Sequence, residues 1–320
     1  MNSLRRFLCV VPLFLVLASS AVAKGGVKIS EDKDRLRVEI DGKLFTEYFF
    51  ADVPRPFCYP LIGPGDLPMT RDYPMQSPPG EEHDHIHHRS FWYAHGDVNG
   101  HDFWAETKTN PIVHQKFLAV KSGKKSGVIH SQNKWITGAG KWICSDERKL
   151  TFHSDTNPKI IDFEIKLMAS NGDVVFGDTK EGSLAIRVAE SMRVAPGTDK
   201  KAPRGHIVQS TGLTDTNTWG KAAEWCDYNG LVQGKQVGIA ILDHPKNPRH
   251  PTWWHVRDYG LFAANPFGVH HFQNKPAGTG DLKIAAGKSV TFRYRVVLHE
   301  GDEKESGIAK LYEAYSKQKF

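Results

Sequence analysis

The sequence predicts an all-β protein, a large sandwich of two antiparallel sheets built from long strands and followed by a short C-terminal helix. Three observations carry this. Segments rich in β-branched and aromatic residues, alternating with period two, recur at short intervals. Turn-type dipeptides punctuate them: Asp41-Gly42, Asn171-Gly172, Asn229-Gly230 and Ala286-Gly287. Only Ser306 to Lys319 has convincing helical spacing, with Ile308, Leu311, Tyr312 and Tyr315 sharing one face.

Taken in order, the chain opens with Arg5 and Arg6, an apolar run from Phe7 to Leu17 and the A-x-A triplet Ala21-Val22-Ala23. This is the pattern of a secretory signal covering residues 1–23, so a periplasmic or secreted location is expected. No later run approaches the roughly 20 apolar residues of a membrane-spanning helix. Val27–Ser30, Arg35–Ile40 and Leu44–Phe50 then read as strands. From Pro54 to Pro79 prolines are too dense for helix or central strand, and a long ordered loop lying over a site is expected there.

Strand-type segments resume at Ile112 and continue to His299, interrupted by a polar patch at 195–204. No linker, repeat or shift of composition divides this region, so residues 24–320 read as one β-sandwich domain. The formal charge is +6, of which Arg5 and Arg6 supply two units. The remaining basic residues are dispersed, which argues against a nucleic-acid partner. Cys58, Cys144 and Cys226 are too few and too widely spaced for a disulfide framework. Three buried thiols, or one bridge and a free thiol, are the readings left.

Function concentrates in Glu81–Glu106, which holds His83, His85, His87, His88, His95 and His101 with Arg89, Trp92, Trp104 and Glu106. Histidine titrates near neutral pH and serves as acid, base or metal ligand. If residues 83–88 are extended, His83, His85 and His87 face one side, as imidazoles do in jelly-roll metal enzymes; a divalent metal on these three is therefore one reading. Trp92, Trp104 and Trp254 have faces suited to a pyranose ring. A second cluster, from His244 to His271, adds His255, Arg257 and His270 on a proline- and aromatic-rich loop. Glu181 opens a strand after a turn, where a carboxylate can point into a cleft.

The motifs RPFCYPLIGPG, TRDYP, GEEHDHIHHRSFWYAHGDVNGHDFW, GDTKEGSLAIRV, WGKAAEWCDYNG and DHPKNPRHPTWWHVRDYGLFAANPFG span nearly the whole mature chain. Together they resemble the PmoA-like family of secreted bacterial proteins, labelled "methane oxygenase PmoA". The methane monooxygenase subunit of that name crosses the membrane many times and this chain does not, so the label supplies no activity. The resemblance implies a galactose-mutarotase-like supersandwich with sugar-active relatives, and His85, His87, His88, Arg89 and Glu181 as cleft residues. The mutarotases' own catalytic His and Glu motifs are absent, so mutarotation is not implied.

The function expected is an exported carbohydrate-active hydrolase, lyase or epimerase acting on a small-molecule or oligosaccharide substrate. His85, His87, His88, Glu181 and His255 are its candidate catalytic groups. Arg89, Trp92, Trp104, Glu106, Trp254, Arg257 and His270 are the candidate substrate contacts. The alternatives are a metal-dependent oxygenase or hydrolase on the His83–His88 cluster, and a non-catalytic glycan-binding protein. The two clusters are expected to meet in one cleft.

Overall fold

The computed structural model describes residues 25–106, 110–197, 200 and 204–320; residues 1–23, read above as a secretory signal, lie outside them. The first strands are β1 (Val27–Asp32), β2 (Arg35–Ile40), β3 (Lys43–Phe49), β4 (Phe57–Tyr59) and β5 (Phe91–His95). Four long strands follow: β6 (Ile112–Lys121), β7 (Ser126–Ile136), β8 (Trp142–His153) and β9 (Lys159–Met168). Next come β10 (Val174–Phe176), β11 (Gly182–Arg187), β12 (His206–Gln209), β13 (Trp225–Val232), β14 (Lys235–Asp243), β15 (Trp253–Val256) and β16 (Leu261–Asn265). Helix α1 (Val269–Gln273), β17 (Leu282–Ile284), β18 (Ser289–Glu300) and helix α2 (Ile308–Ser316) complete the chain.

Two eight-stranded antiparallel sheets result. One has the order β1-β2-β3-β4-β5-β11-β16-β15 and the other β12-β13-β14-β18-β9-β8-β7-β6. Period-two alternation is cleanest in β7, where every second residue is buried. The sheets meet face to face through aromatic pairs such as Phe45–Phe152 and Phe91–Phe163, with ring centroids 5.9 and 5.7 Å apart. Helix α2 covers the outer face of the second sheet, setting Ile308, Tyr312 and Tyr315 against Ile160, Trp225, Leu242 and Val297. The sandwich and its terminal helix are those the sequence predicts.

Three local expectations change. The proline-rich passage is not all loop: Phe57–Tyr59 pairs with β3 and β5, and prolines on either side mask the strand. Asn229-Gly230 is not a turn but lies inside β13, where a Cβ on Gly230 would come within 3.0 Å of the Met192 Cα. The turn belongs to Gln233-Gly234, both with positive φ, as a tight hairpin requires. Residues 83–88 are not extended, for a reason given below. Cys58, Cys144 and Cys226 are all buried free thiols.

Candidate active site

Cross-strand register shows where the site is built. Trp92, Ala185, Ala263 and His255 form one row across β5, β11, β16 and β15. The neighbouring row of Tyr93, Leu184, Ala264 and Trp254 points the other way, and Tyr93 packs there on Phe163 of the second sheet. His255 and Trp92 therefore stand on the outer face of the first sheet, with two alanines between them. Small residues at the centre of the row leave room above it. Loops from 70–90 and 101–106 roof this face.

The histidine segment turns because of Arg71. Its fully buried guanidinium donates to the carbonyls of Glu82, Asp84 and His85 at 3.2, 3.0 and 3.1 Å and pairs with the Asp84 carboxylate. Gathering three carbonyls onto one cation bends the chain, so His85 has φ 44° and the His88 N–H reaches the His85 carbonyl at 2.9 Å. Strand alternation is lost. His85, His87 and His88 come together instead, with ring centroids 4.5 to 5.7 Å apart. His83 is left outside, stacked on Tyr73 at 4.4 Å.

These rings line a cleft of about 490 Å³ with Asp102, Trp104, Lys180, Glu181, His255, Arg257 and Tyr259. That volume is in the range of small-molecule sites. The two sequence clusters, more than 160 residues apart, thus meet in one place, and Glu181 joins them.

The hydrogen bonds fix the state of three imidazoles. Asp84 Oδ2 lies 2.6 Å from His85 Nδ1, while Asp84 Oδ1 receives Arg71 and, at 2.9 Å, Arg187. Burial alone would raise the Asp84 carboxyl. The His85 hydrogen bond and the Arg187 and Arg71 charges outweigh it and hold the group well below the usual carboxylate range. An ionised Asp84 takes the Nδ1 proton of His85 in its hydrogen bond, which leaves the His85 Nε2 lone pair as a base.

His88 and His255 are the reverse. Arg187 donates to His88 Nδ1 at 3.1 Å and the Trp219 indole N–H to His255 Nδ1 at 2.9 Å. Neither guanidinium nor indole can accept, so both neutral rings carry their proton on Nε2. Burial lowers both, helped by Arg187 at His88 and by Arg257 at His255, which falls to about 3. Burial and the Arg55 charge likewise bring His87 down to about 3. The cleft therefore sets one oriented base beside neutral N–H donors.

Other candidate residues lie elsewhere. Glu106 receives Arg89 at 2.7 and 2.8 Å and Arg55 at 3.0 Å, so Arg89 and Glu106 neutralise each other behind the cleft. Trp92 is 2% exposed, stacked on His88 and tilted against Trp104, which is itself 1% exposed. Trp254 faces the core and donates to the Ala223 carbonyl at 3.0 Å. Burial removes these three tryptophans, Trp92, Trp104 and Trp254, from any sugar-stacking role. His270, on α1, is outside the cleft lining, and its Nδ1 meets the Lys275 carbonyl. Tyr259 is the aromatic that sequence reasoning missed: it stacks on His85 at 5.1 Å from the tip of the β15–β16 hairpin. Its place between Arg257 and that hairpin's glycine was the only available signal.

The three-histidine metal reading does not survive this geometry. His83 is displaced, His85 and His88 stack in parallel 4.6 Å apart, and His88 Nδ1 and His255 Nδ1 are already hydrogen-bond acceptors. Among the described residues no group of three or more His, Cys, Asp or Glu side chains is placed to hold a metal ion.

Among solved structures, the chain is similar to a galactose mutarotase-like protein from Lactobacillus casei, with 10% identity, coverage of 86% of this chain and 100% of that one, and a TM-score of 0.34. A galactose mutarotase related enzyme from Lactobacillus acidophilus gives 9% identity, 86% and 97% coverage, and a TM-score of 0.33. A polysaccharide lyase gives 11% identity, 87% and 33% coverage, and a TM-score of 0.33. No curated protein matches the sequence. A family profile matches residues 35–313, nearly the whole described chain, and on that ground the protein belongs to the family described as a family of unknown function, DUF6807.

Proposed function

We propose that the protein is an exported carbohydrate-active enzyme of the hydrolase, lyase or epimerase class, working by histidine acid–base chemistry. The observation that carries this is the pairing, in one cleft, of His85 with a free Nε2 lone pair and His255 with an Nε2 proton. His85 takes a proton from a sugar hydroxyl or ring carbon, and the ionised Asp84 stabilises the imidazolium that forms. His255 supplies an N–H to an oxygen on which negative charge develops. Glu181 is the second carboxylate, and among the described residues only an ion pair with Lys180 at 3.6 Å holds it. Tyr259 gives the cleft an apolar face with a polar edge, as a pyranose needs.

The export part of this reading is supported by the Met1–Ala23 pattern, and the PmoA-like resemblance adds no step to the chemistry. The test is a panel of neutral and acidic glycans with product analysis, run on the wild-type protein and on His85→Gln. Turnover that His85→Gln abolishes, with a pH profile that has a limb between about pH 5 and 8, is expected. Glycans that bind without ever being converted would make it a binding protein; no binding to any glycan would end the carbohydrate reading.

A further inference from the structure

Nearly every charged side chain around the cleft has a partner, although two arginines share each of two carboxylates. Arg71 and Arg187 share Asp84, Arg55 and Arg89 share Glu106, and Lys180 lies 3.6 Å from Glu181. Asp102 is occupied as well, since its Oδ1 accepts the backbone N–H groups of Trp104 and Ala105 at 2.7 and 3.0 Å. Arg257 is the exception. Among the described residues no carboxylate and no carbonyl receives its guanidinium, which sits instead between two rings, 5.8 Å from Trp219 and 5.5 Å from Tyr259.

Its backbone is fixed. The Arg257 N–H donates to the Leu261 carbonyl at 2.7 Å and the Arg257 carbonyl accepts from Gly260 at 3.0 Å, closing the β15–β16 turn. Rings on a guanidinium restrict its plane and leave its N–H edges free, and those edges match a carboxylate with two parallel hydrogen bonds. We infer that the cleft takes an acidic sugar, a uronic acid or a similar carboxylate-bearing pyranose, whose carboxylate is held by Arg257 beside His255. This rests on the carbohydrate reading above and narrows it to one substrate class. Arg257 is also, after burial, the strongest influence keeping His255 neutral, so an anion bound there would raise His255.

The test is an NMR titration of the full chain, following the histidine ring signals and reading affinities. The probes are D-galacturonate and D-glucuronate, their neutral parents D-galactose and D-glucose, and galactose 6-sulfate. Two parallel charge-assisted hydrogen bonds predict that the uronates bind roughly 10- to 100-fold more tightly than their parents. The preference should weaken with added salt, and His255 should titrate at higher pH only with the uronates. Arg257→Met should bring uronate and parent to within about twofold of each other. If that variant does not fold, Arg257→Lys keeps the charge and loses the fork, and at least a threefold drop in preference is expected.

Equal affinity for uronates and parents, a preference that survives in Arg257→Met, or tighter binding of the sulfated sugar would each overturn the inference while leaving a carbohydrate site in place. Failure of every sugar to bind would overturn the inference and the carbohydrate reading together.

Discussion

Two His–Asp pairs in this molecule have the same length and opposite meanings. In the cleft, His85 Nδ1 lies 2.6 Å from Asp84; in the core, His299 Nε2 lies 2.6 Å from Asp227. The core pair is closed. Asp227 Oδ1 accepts from Asn229 at 2.7 Å, His299 Nδ1 lies 3.2 Å from the Glu300 carbonyl, and both side chains are within 1% of full burial. The cleft pair is open, because the His85 side chain is 39% exposed and its Nε2 has no partner among the described residues. Distance does not make a site. What matters is whether the histidine keeps a nitrogen that substrate can reach.

The sharpest way to break the comparison is to remove each histidine and read both rate and stability. His85→Ala should lower turnover of the true substrate by roughly 10²- to 10⁴-fold, the usual contribution of a general base. Its denaturation midpoint should stay near wild type, since the ring is at the surface of a cleft. A loss below tenfold would demote His85. A large fall in stability would place it with His299.

The core pair should behave in the opposite sense. Asp227→Ala leaves a buried imidazole whose charged form has lost its partner, and the loss is expected at about 3–5 kcal/mol. Urea denaturation measures it. Activity of the folded fraction should not change. An effect below about 1 kcal/mol would mean that water reaches the pair and that it is not closed after all.

The comparison also marks how far the sequence could be read. Strand alternation, the Asp41-Gly42 hairpin and the Ile308–Tyr315 face were legible because they are local and periodic. So were the two histidine-rich clusters and Glu181. Whether an aromatic faces the cleft or the core was not, because Trp253, Trp254 and His255 differ only in register, and register is set by partners far away in sequence. The bend at His85 was hidden for a similar reason: its cause, Arg71, makes contacts 11 to 14 residues away that no local pattern encodes. Tyr259 looked like an ordinary turn residue until the hairpin placed it on His85.

Proton linkage separates the pairs more gently. Burial lowers His87, His88, His95 and His255 below their ordinary 6.5, three of them to values of about 3 to 4. The unfolded chain binds a proton at each of these as pH falls through about 6.5, and the folded chain does not. Stability should therefore decline below pH 6.5, by at most about 1.4 kcal/mol per pH unit for each histidine. His299 runs the other way. Burial opposes its charge, but Asp227 prevails and raises it, so its contribution is complete below 6.5 and is lost as pH rises through the folded value. Denaturation midpoints from pH 8 to 4.5 should show the net fall, and His299→Gln should steepen it. A flat profile would mean that the cleft histidines are as well hydrated in the folded protein as in the unfolded chain.

The smallest effect on stability should come from Glu181, and it tests the idea of an open site most directly. Its backbone is fixed: the Glu181 carbonyl accepts the Gly96 N–H at 2.7 Å, and a Cβ on Gly96 would come within 2.7 Å of the Glu181 Cβ. Among the described residues its carboxylate has only the exposed Lys180 pair, and such pairs contribute about 0–1 kcal/mol. Glu181→Gln keeps shape and removes charge, so the denaturation midpoint should shift by no more than about 0.5 kcal/mol. Turnover should drop far more than that if the carboxylate moves a proton or steadies a cation, with the acidic limb of the pH profile altered. Unchanged turnover would leave the chemistry to His85 and His255 and reduce Glu181 to a partner for Lys180. A stability loss above about 2 kcal/mol would instead show that the carboxylate supports the fold, and the cleft would then lack its second acid.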